Sequence, residues 1–125
     1  MNEYENIFDE NNYSTACDMA VILHAAMENE ICKKVLSARN YTTSCTQQHP
    51  QGITFSSKFL NRIDRKFGKG KVVGAKTGYV NQSRYCAVSM YESEANNKYI
   101  CVTGMAGKAW QTVYDHIAFY QNYCK

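Results

Sequence analysis

Apolar positions in this chain change period near residue 70. Before it they recur every three or four residues, and after it they alternate. From Ala16, the side chains Met19, Ala20, Leu23, Ala26 and Met27 trace one buried helical stripe. Ser14 or Thr15 can cap that helix, and Thr15-x-x-Asp18 fits a capping box that satisfies two orphan amides. No Gly or Pro falls between Ser14 and Arg39, so a second helix is expected over about residues 30–38. His24 flanks the stripe, where a hydrogen-bonded core or boundary histidine is expected. Residues 40–55 are rich in Thr, Ser and Gln. There, His49-Pro50-Gln51-Gly52 reads as a turn between short extended pieces at 41–46 and 53–55. Ser56 or Ser57 then caps a helix through about Lys66, with Phe59, Leu60, Ile63 and Phe67 as its apolar face. Gly68 and Gly70 stop it.

Beyond Gly70 the alternation predicts three strands, at residues 71–79, 84–91 and 98–104. In the second, Cys86, Val88 and Met90 point one way and Tyr85, Ala87, Ser89 and Tyr91 the other. The short polar links 80–83 and 92–97 favour an antiparallel meander. A helix over 108–123 follows, presenting Trp110, Val113, Tyr114, Ile117, Tyr120 and Cys124 on one face. The expected class is α+β: N-terminal helices, then a three-stranded antiparallel meander covered by a C-terminal helix. So thin a sheet is expected to want further partners, and its exposed edge offers a route to self-association.

Composition narrows the class without changing it. A length of 125 residues suits one domain, and 45% hydrophobic with 20% charged residues excludes a disordered tail or an extended coiled coil. The longest uncharged apolar run, residues 19–27, is far short of the ~20 residues of a membrane-spanning helix. Residues 1–12 are acidic and lack the apolar core of an export signal.

Charge is unevenly placed. Residues 1–32 hold seven acids and no Lys or Arg, whereas all 14 bases, with four acids, lie from Lys33 onward. The densest stretch contains Lys58, Arg62, Arg65, Lys66, Lys69, Lys71 and Lys76 against Asp64 alone. It can attract an anion, but a solvated helix face and turn is the simpler reading, and the acidic N-terminal segment can also pair with it. Phe59 and Phe67 within it fit a core stripe better than a base-stacking platform, so nucleic acid is not the expected partner. The cysteines Cys17, Cys32, Cys45, Cys86, Cys101 and Cys124 show no C-x-x-C spacing and no partnering His pair. Buried free thiols are the favoured reading, and neither a metal nor another cofactor is expected.

The most specific feature is Lys76-Thr77-Gly78 within the first predicted strand, preceded by Gly74-Ala75 and followed by Tyr79. Lys76 supplies a point positive charge, Thr77 a hydroxyl donor, and Gly78 room for close backbone approach, a set suited to a carboxylate-bearing ligand. Together with Tyr13-Ser14-Thr15-Ala16-Cys17-Asp18-Met19-Ala20, Tyr41-Thr42-Thr43 and Tyr85-Cys86, in this order, the chain resembles the serine-type D-alanyl-D-alanine carboxypeptidases among the low-molecular-mass penicillin-binding proteins. The resemblance implies that Lys76 and Thr77 hold the substrate's terminal carboxylate, with Lys76 also assisting proton transfer. It implies that the Tyr79 amide is an oxyanion-hole donor. It further implies a peptidoglycan stem peptide or a β-lactam as ligand of the complete protein, and a location at the cell envelope.

Two motifs of that family are missing. The residue three after Ser14, Ser37, Ser44, Ser56, Ser57, Ser83, Ser89 and Ser93 is never Lys, and none of these serines has Asn two positions on. The nucleophile Ser-x-x-Lys and the second motif Ser-x-Asn are therefore absent, and nucleophilic catalysis needs a nucleophile beside a base. Val80 and Arg84 also stand where the family pattern has a small polar residue and Gly. The expectation is the C-terminal half of such a catalytic domain, with no catalytic residue of its own and inactive alone. Alternatives are a β-lactamase-related protein or a basic module that binds anions or nucleic acid.

Overall fold

The computed structural model describes residues 12–64 and 69–124. Its elements run α1 (Ala16–Glu28), α2 (Glu30–Ser37), β1 (Asn40–Thr42), β2 (Thr54–Ser56), α3 (Lys58–Ile63), β3 (Lys71–Val80), β4 (Arg84–Glu92), β5 (Lys98–Ala106) and α4 (Ala109–Tyr123). Local capping chemistry sets several boundaries. Thr15 Oγ1 accepts from the Asp18 amide at 3.1 Å, opening α1. Asn29 ends the first helix, its backbone amide donating to the Ala26 carbonyl at 3.2 Å, and its side-chain carboxamide opens the second by accepting from the Ile31 and Cys32 amides, both at 3.1 Å. Ser57 does the same for α3 through the Leu60 amide. The expected stop at Gly68, and Phe67 of the α3 stripe, lie outside the described residues.

β1 and β2 pair antiparallel, with Tyr41 opposite Phe55. The His49–Gly52 turn is closed by the Gly52 amide donating to the His49 carbonyl at 2.9 Å, with Gly52 at φ +73°. β3, β4 and β5 form the expected meander in the order β3-β4-β5, so β3 is an edge strand. Helices cover both faces of this sheet. On one, α3 and α4 enclose Phe59, Leu60, Ile63, Val72, Ala87, Tyr91, Cys101, Val113, Ile117 and Tyr120. On the other, α1 contributes Leu23 and Met27 against Val88 and Met90, and Leu36 of α2 packs beside them. The alternation expected for β4 is therefore the division between two cores.

Two expectations about faces are corrected. On α4, Trp110 and Tyr114 are about half exposed, and the buried arc turns the other way to include Thr112 and His116. Those two polar side chains are buried because each is hydrogen-bonded, Thr112 to the Ala109 carbonyl and His116 to two strands. His24 is not a core residue: it is exposed and sits 3.8 Å from Glu28 one turn on. The cysteines also divide. Cys101 and Cys124 are buried free thiols, but Cys17, Cys32 and Cys45 are exposed and Cys86 is half-buried.

Arg39, just after α2, locks the start of the sheet. Its Nε and Nη2 bind both oxygens of Asp64 at 2.8 and 2.9 Å, Nη2 also reaches the Val72 carbonyl at 2.6 Å, and Nη1 the Ser37 carbonyl at 2.8 Å. One guanidinium thus joins the ends of α2 and α3 to the first turn of β3. Of the basic stretch, Lys58, Lys69, Lys71 and Lys76 are solvent-facing, as a solvated face requires. Arg62 lies over the Trp110 ring. Among the described residues, no helix is long and apolar enough to cross a membrane.

Candidate functional site

Lys76, Thr77, Gly78 and Tyr79 occupy the exposed C-terminal half of edge strand β3. Which face each one serves is decided upstream, by a β-bulge between Val72 and Gly74. Val72 faces the α4 core, whereas Val73 and Gly74 both face α1 and α2. The bulge shifts the alternation by one residue, a common device for re-aiming side chains near functional sites. After it, Ala75, Thr77 and Tyr79 lie on the α4 face, and Lys76 and Gly78 on the α1 face.

On the α1 face a hollow of about 190 Å³ is lined by Met19, Lys76, Gly78, Cys86, Val88 and Val102. Lys76 Nζ donates to the Thr77 carbonyl, so in this state its ammonium is folded back on the strand. Gly78 is the open point of the wall: a Cβ built there meets nothing within 4 Å. Among the described residues, no packing requires glycine at 78. At Gly74, by contrast, a Cβ would sit 2.6 Å from Met27 Sδ, so helix α1 itself excludes a side chain. Gly78 pairs with Cys86 across the strands and Tyr79 with Tyr85, whose rings lie 4.6 Å apart. Cys86 was not singled out for the site by its sequence context; its Sγ donates to the Ser83 carbonyl at 3.3 Å.

A second polar cluster lies deep in the opposite core. Ser89 Oγ is 2.7 Å from His116 Nδ1 and 2.7 Å from the Tyr120 hydroxyl, which donates to the Ser89 carbonyl at 2.8 Å. Thr103 Oγ1 is 3.0 Å from His116 Nε2. A serine beside a histidine has the outline of a nucleophile and base. Ser89 and His116 are nevertheless both 0% exposed, and every polar atom of the cluster is bonded. Burial lowers the His116 pKa to about 4, with Asp115 opposing, and raises that of Tyr120. The cluster fastens α4 to β4 and β5 and gives no substrate access. Among the described residues, no three His, Cys, Asp or Glu side chains gather where they could hold a metal ion.

No known family profile and no curated protein matches the sequence. The fold is matched by the crystal structure of D-alanyl-D-alanine carboxypeptidase from Mycobacterium tuberculosis H37Rv, with a TM-score of 0.59 and 19% identity. The match takes in 88% of this chain and 42% of that one, so the chain spans less than half the length of its structural neighbour. At that identity the likeness is one of architecture: the two helices, the meander and the closing helix have the fold of part of a D-alanyl-D-alanine carboxypeptidase.

Proposed function

We propose that this chain supplies the substrate-binding wall of a D-alanyl-D-alanine carboxypeptidase-type site, as an incomplete catalytic domain that holds a peptide's terminal carboxylate and performs no acyl transfer alone. The observation that carries the reading is the placement of Lys76-Thr77-Gly78-Tyr79 on an open strand edge, with glycine where the fold does not need it. Because Lys76 and Thr77 project from opposite faces of β3, the carboxylate would sit at the open strand edge, with Lys76, once swung off the Thr77 carbonyl, reaching it from one side and the Thr77 hydroxyl from the other, by charge-assisted hydrogen bonds. An extended peptide would pair along β3, with the Tyr79 amide directed at the carbonyl under attack. The nucleophile and its base would come from polypeptide beyond this sequence. Exposed apolar side chains support that incompleteness: Val21 and Ile22 on α1 and Ile31 and Val35 on α2 are all more than half exposed. The cell envelope is the location that fits such a substrate.

The test is a titration of an N-acetylated peptide ending in D-Ala-D-Ala, followed by backbone-amide NMR, beside its C-terminal amide. Shifts at residues 76–79 that need the free carboxylate and vanish in Lys76→Met support the reading. Equal binding of the amide, or no response at these residues, rejects it. Incubation with benzylpenicillin should leave the intact mass unchanged, and a stoichiometric adduct would overturn the assignment of the nucleophile elsewhere.

A further inference from the structure

The α4 face of β3 carries a larger cavity than the Lys76 face. It opens between the first turn of α3, the end of β3, the start of β4 and the first turns of α4, and holds about 520 Å³. Sites for small organic ligands usually measure about 300–1,000 Å³, with mostly apolar walls and a few placed polar groups. Here Phe59 and Val113 form the floor, and Tyr79, Tyr85 and Trp110 the sides. Tyr79 and Trp110 line the cavity and remain about half exposed. The Ser56 and Thr77 side chains bring hydroxyls to the same cavity.

Among the described residues, charge around the mouth has one sign. Lys58 is the ionisable lining residue with a full charge, and Arg62 stands with its guanidinium carbon 2.9 Å from the Trp110 ring centroid. Lys108 immediately precedes the lining residue Ala109. Among the described residues, no acid lines the cavity. Asp64, just after α3, is held by Arg39, and Asp115 of α4 accepts from Gln111 at 2.7 Å. Flat aromatic walls favour a planar ring, and an uncompensated cationic mouth favours an anion.

We propose that this cleft binds a small planar aromatic carboxylate, its ring between Tyr79, Tyr85 and Trp110 and its carboxylate toward Lys58. The cleft shares Thr77, Gly78 and Tyr79 with the peptide-binding wall but lies on the α4 face of the strand, where Lys76 does not project, and the proposal stands whether or not the chain binds D-Ala-D-Ala peptides.

Trp110 is the only tryptophan in the chain, so its indole N–H gives a single NMR reporter inside the cleft. The probes are 2-naphthoate and neutral 2-naphthalenemethanol. Naphthoate should shift the indole and the Lys58, Thr77 and Tyr85 amides saturably. The neutral analogue should bind about fivefold more weakly, as loss of one partly exposed ion pair implies. Lys58→Glu, an exposed substitution, should weaken naphthoate by at least as much and leave the alcohol unaffected. Lys76→Met should change neither. Failure of the indole to shift saturably, equal affinity for the two probes, or shifts centred on the exposed Phe119 and Tyr123 of α4 would each overturn the proposal.

Discussion

Nδ1 of His116 lies 2.7 Å from the hydroxyl of Ser89, two side chains 27 residues apart and both fully buried between the sheet and α4. With His116 uncharged, as its lowered pKa makes it at neutral pH, the proton count of the cluster closes in one arrangement. Tyr120 donates to the Ser89 carbonyl, Ser89 to the Tyr120 oxygen, His116 Nδ1–H to Ser89 Oγ, and Thr103 to His116 Nε2. The neutral imidazole then carries its proton on Nδ1. Imidazole ¹⁵N shifts at neutral pH should report that tautomer.

Acid should unfold the protein through the same residue. The folded pKa of His116, about 4, is below the ordinary 6.5, because burial disfavours the cation. The unfolded chain therefore binds the extra proton first as pH falls. The stabilisation is fully present above about pH 6.5 and is lost between there and about pH 4. Two to three pKa units correspond to on the order of 3 kcal/mol. Urea midpoints across pH 4–7 should fall with acid in the wild type and much less in His116→Gln. Equal slopes would assign the acid sensitivity to other groups.

Arg39 and Asp64 make the second long-range prediction. Arg39→Ala removes a forked ion pair and leaves the Val72 carbonyl without its donor at 2.6 Å. Because Asp64 is partly exposed, solvent screens the pair, and the expected loss is about 2 kcal/mol in chemical denaturation. Arg39→Lys keeps the charge but cannot span both carboxylate oxygens, Ser37 and Val72 together, so it should recover less than half. Full recovery by lysine would show that charge alone is what matters.

These two clusters also mark where sequence reading stops. Thr15, Ser57 and the β4 alternation were legible because capping and strand facing depend on residues within a few positions. Arg39 was not singled out, since its partners lie 25 and 33 residues away. His116 and Thr112 escaped an apolar-stripe reading because hydrogen bonds from β5 and from the helix itself make polar side chains buriable. The motif Lys76-Thr77-Gly78 was visible as a string, but its facing was not. That depends on the Val72–Gly74 bulge, which uninterrupted alternation cannot reveal.

Thiol accessibility should separate the six cysteines into classes. Cys17, Cys32 and Cys45 are exposed and should react first with a colorimetric disulfide reagent. Cys86, half-buried and bonded to the Ser83 carbonyl, should be slower. Cys101 and Cys124 should react only on unfolding, since both are buried and burial raises their pKa, that of Cys101 to about 11. Three fast, one slow and two denaturant-dependent equivalents are expected. Fast labelling of Cys101 in the folded protein would contradict the packing of α4 on the sheet.

Gly74 and Gly78 give the sharpest separation of fold from function. At Gly74 an added methyl would lie 2.6 and 2.8 Å from the Sδ and Cε of Met27, a buried side chain of α1. Met27 is flexible and can give way, so Gly74→Ala should destabilise by about 1–2 kcal/mol rather than prevent folding. At Gly78 the same methyl enters open space, and alanine is the less entropically costly residue in a strand. Gly78→Ala should therefore leave the urea midpoint unchanged or slightly raised. If glycine is kept at 78 for the close approach of a peptide backbone, that stable variant should nevertheless lose D-Ala-D-Ala peptide binding, by about tenfold or more in NMR titration. Gly74→Ala should show the reverse pattern, weakened folding with binding retained in the folded fraction. Unimpaired peptide binding in Gly78→Ala would remove the steric argument for the strand as a substrate wall.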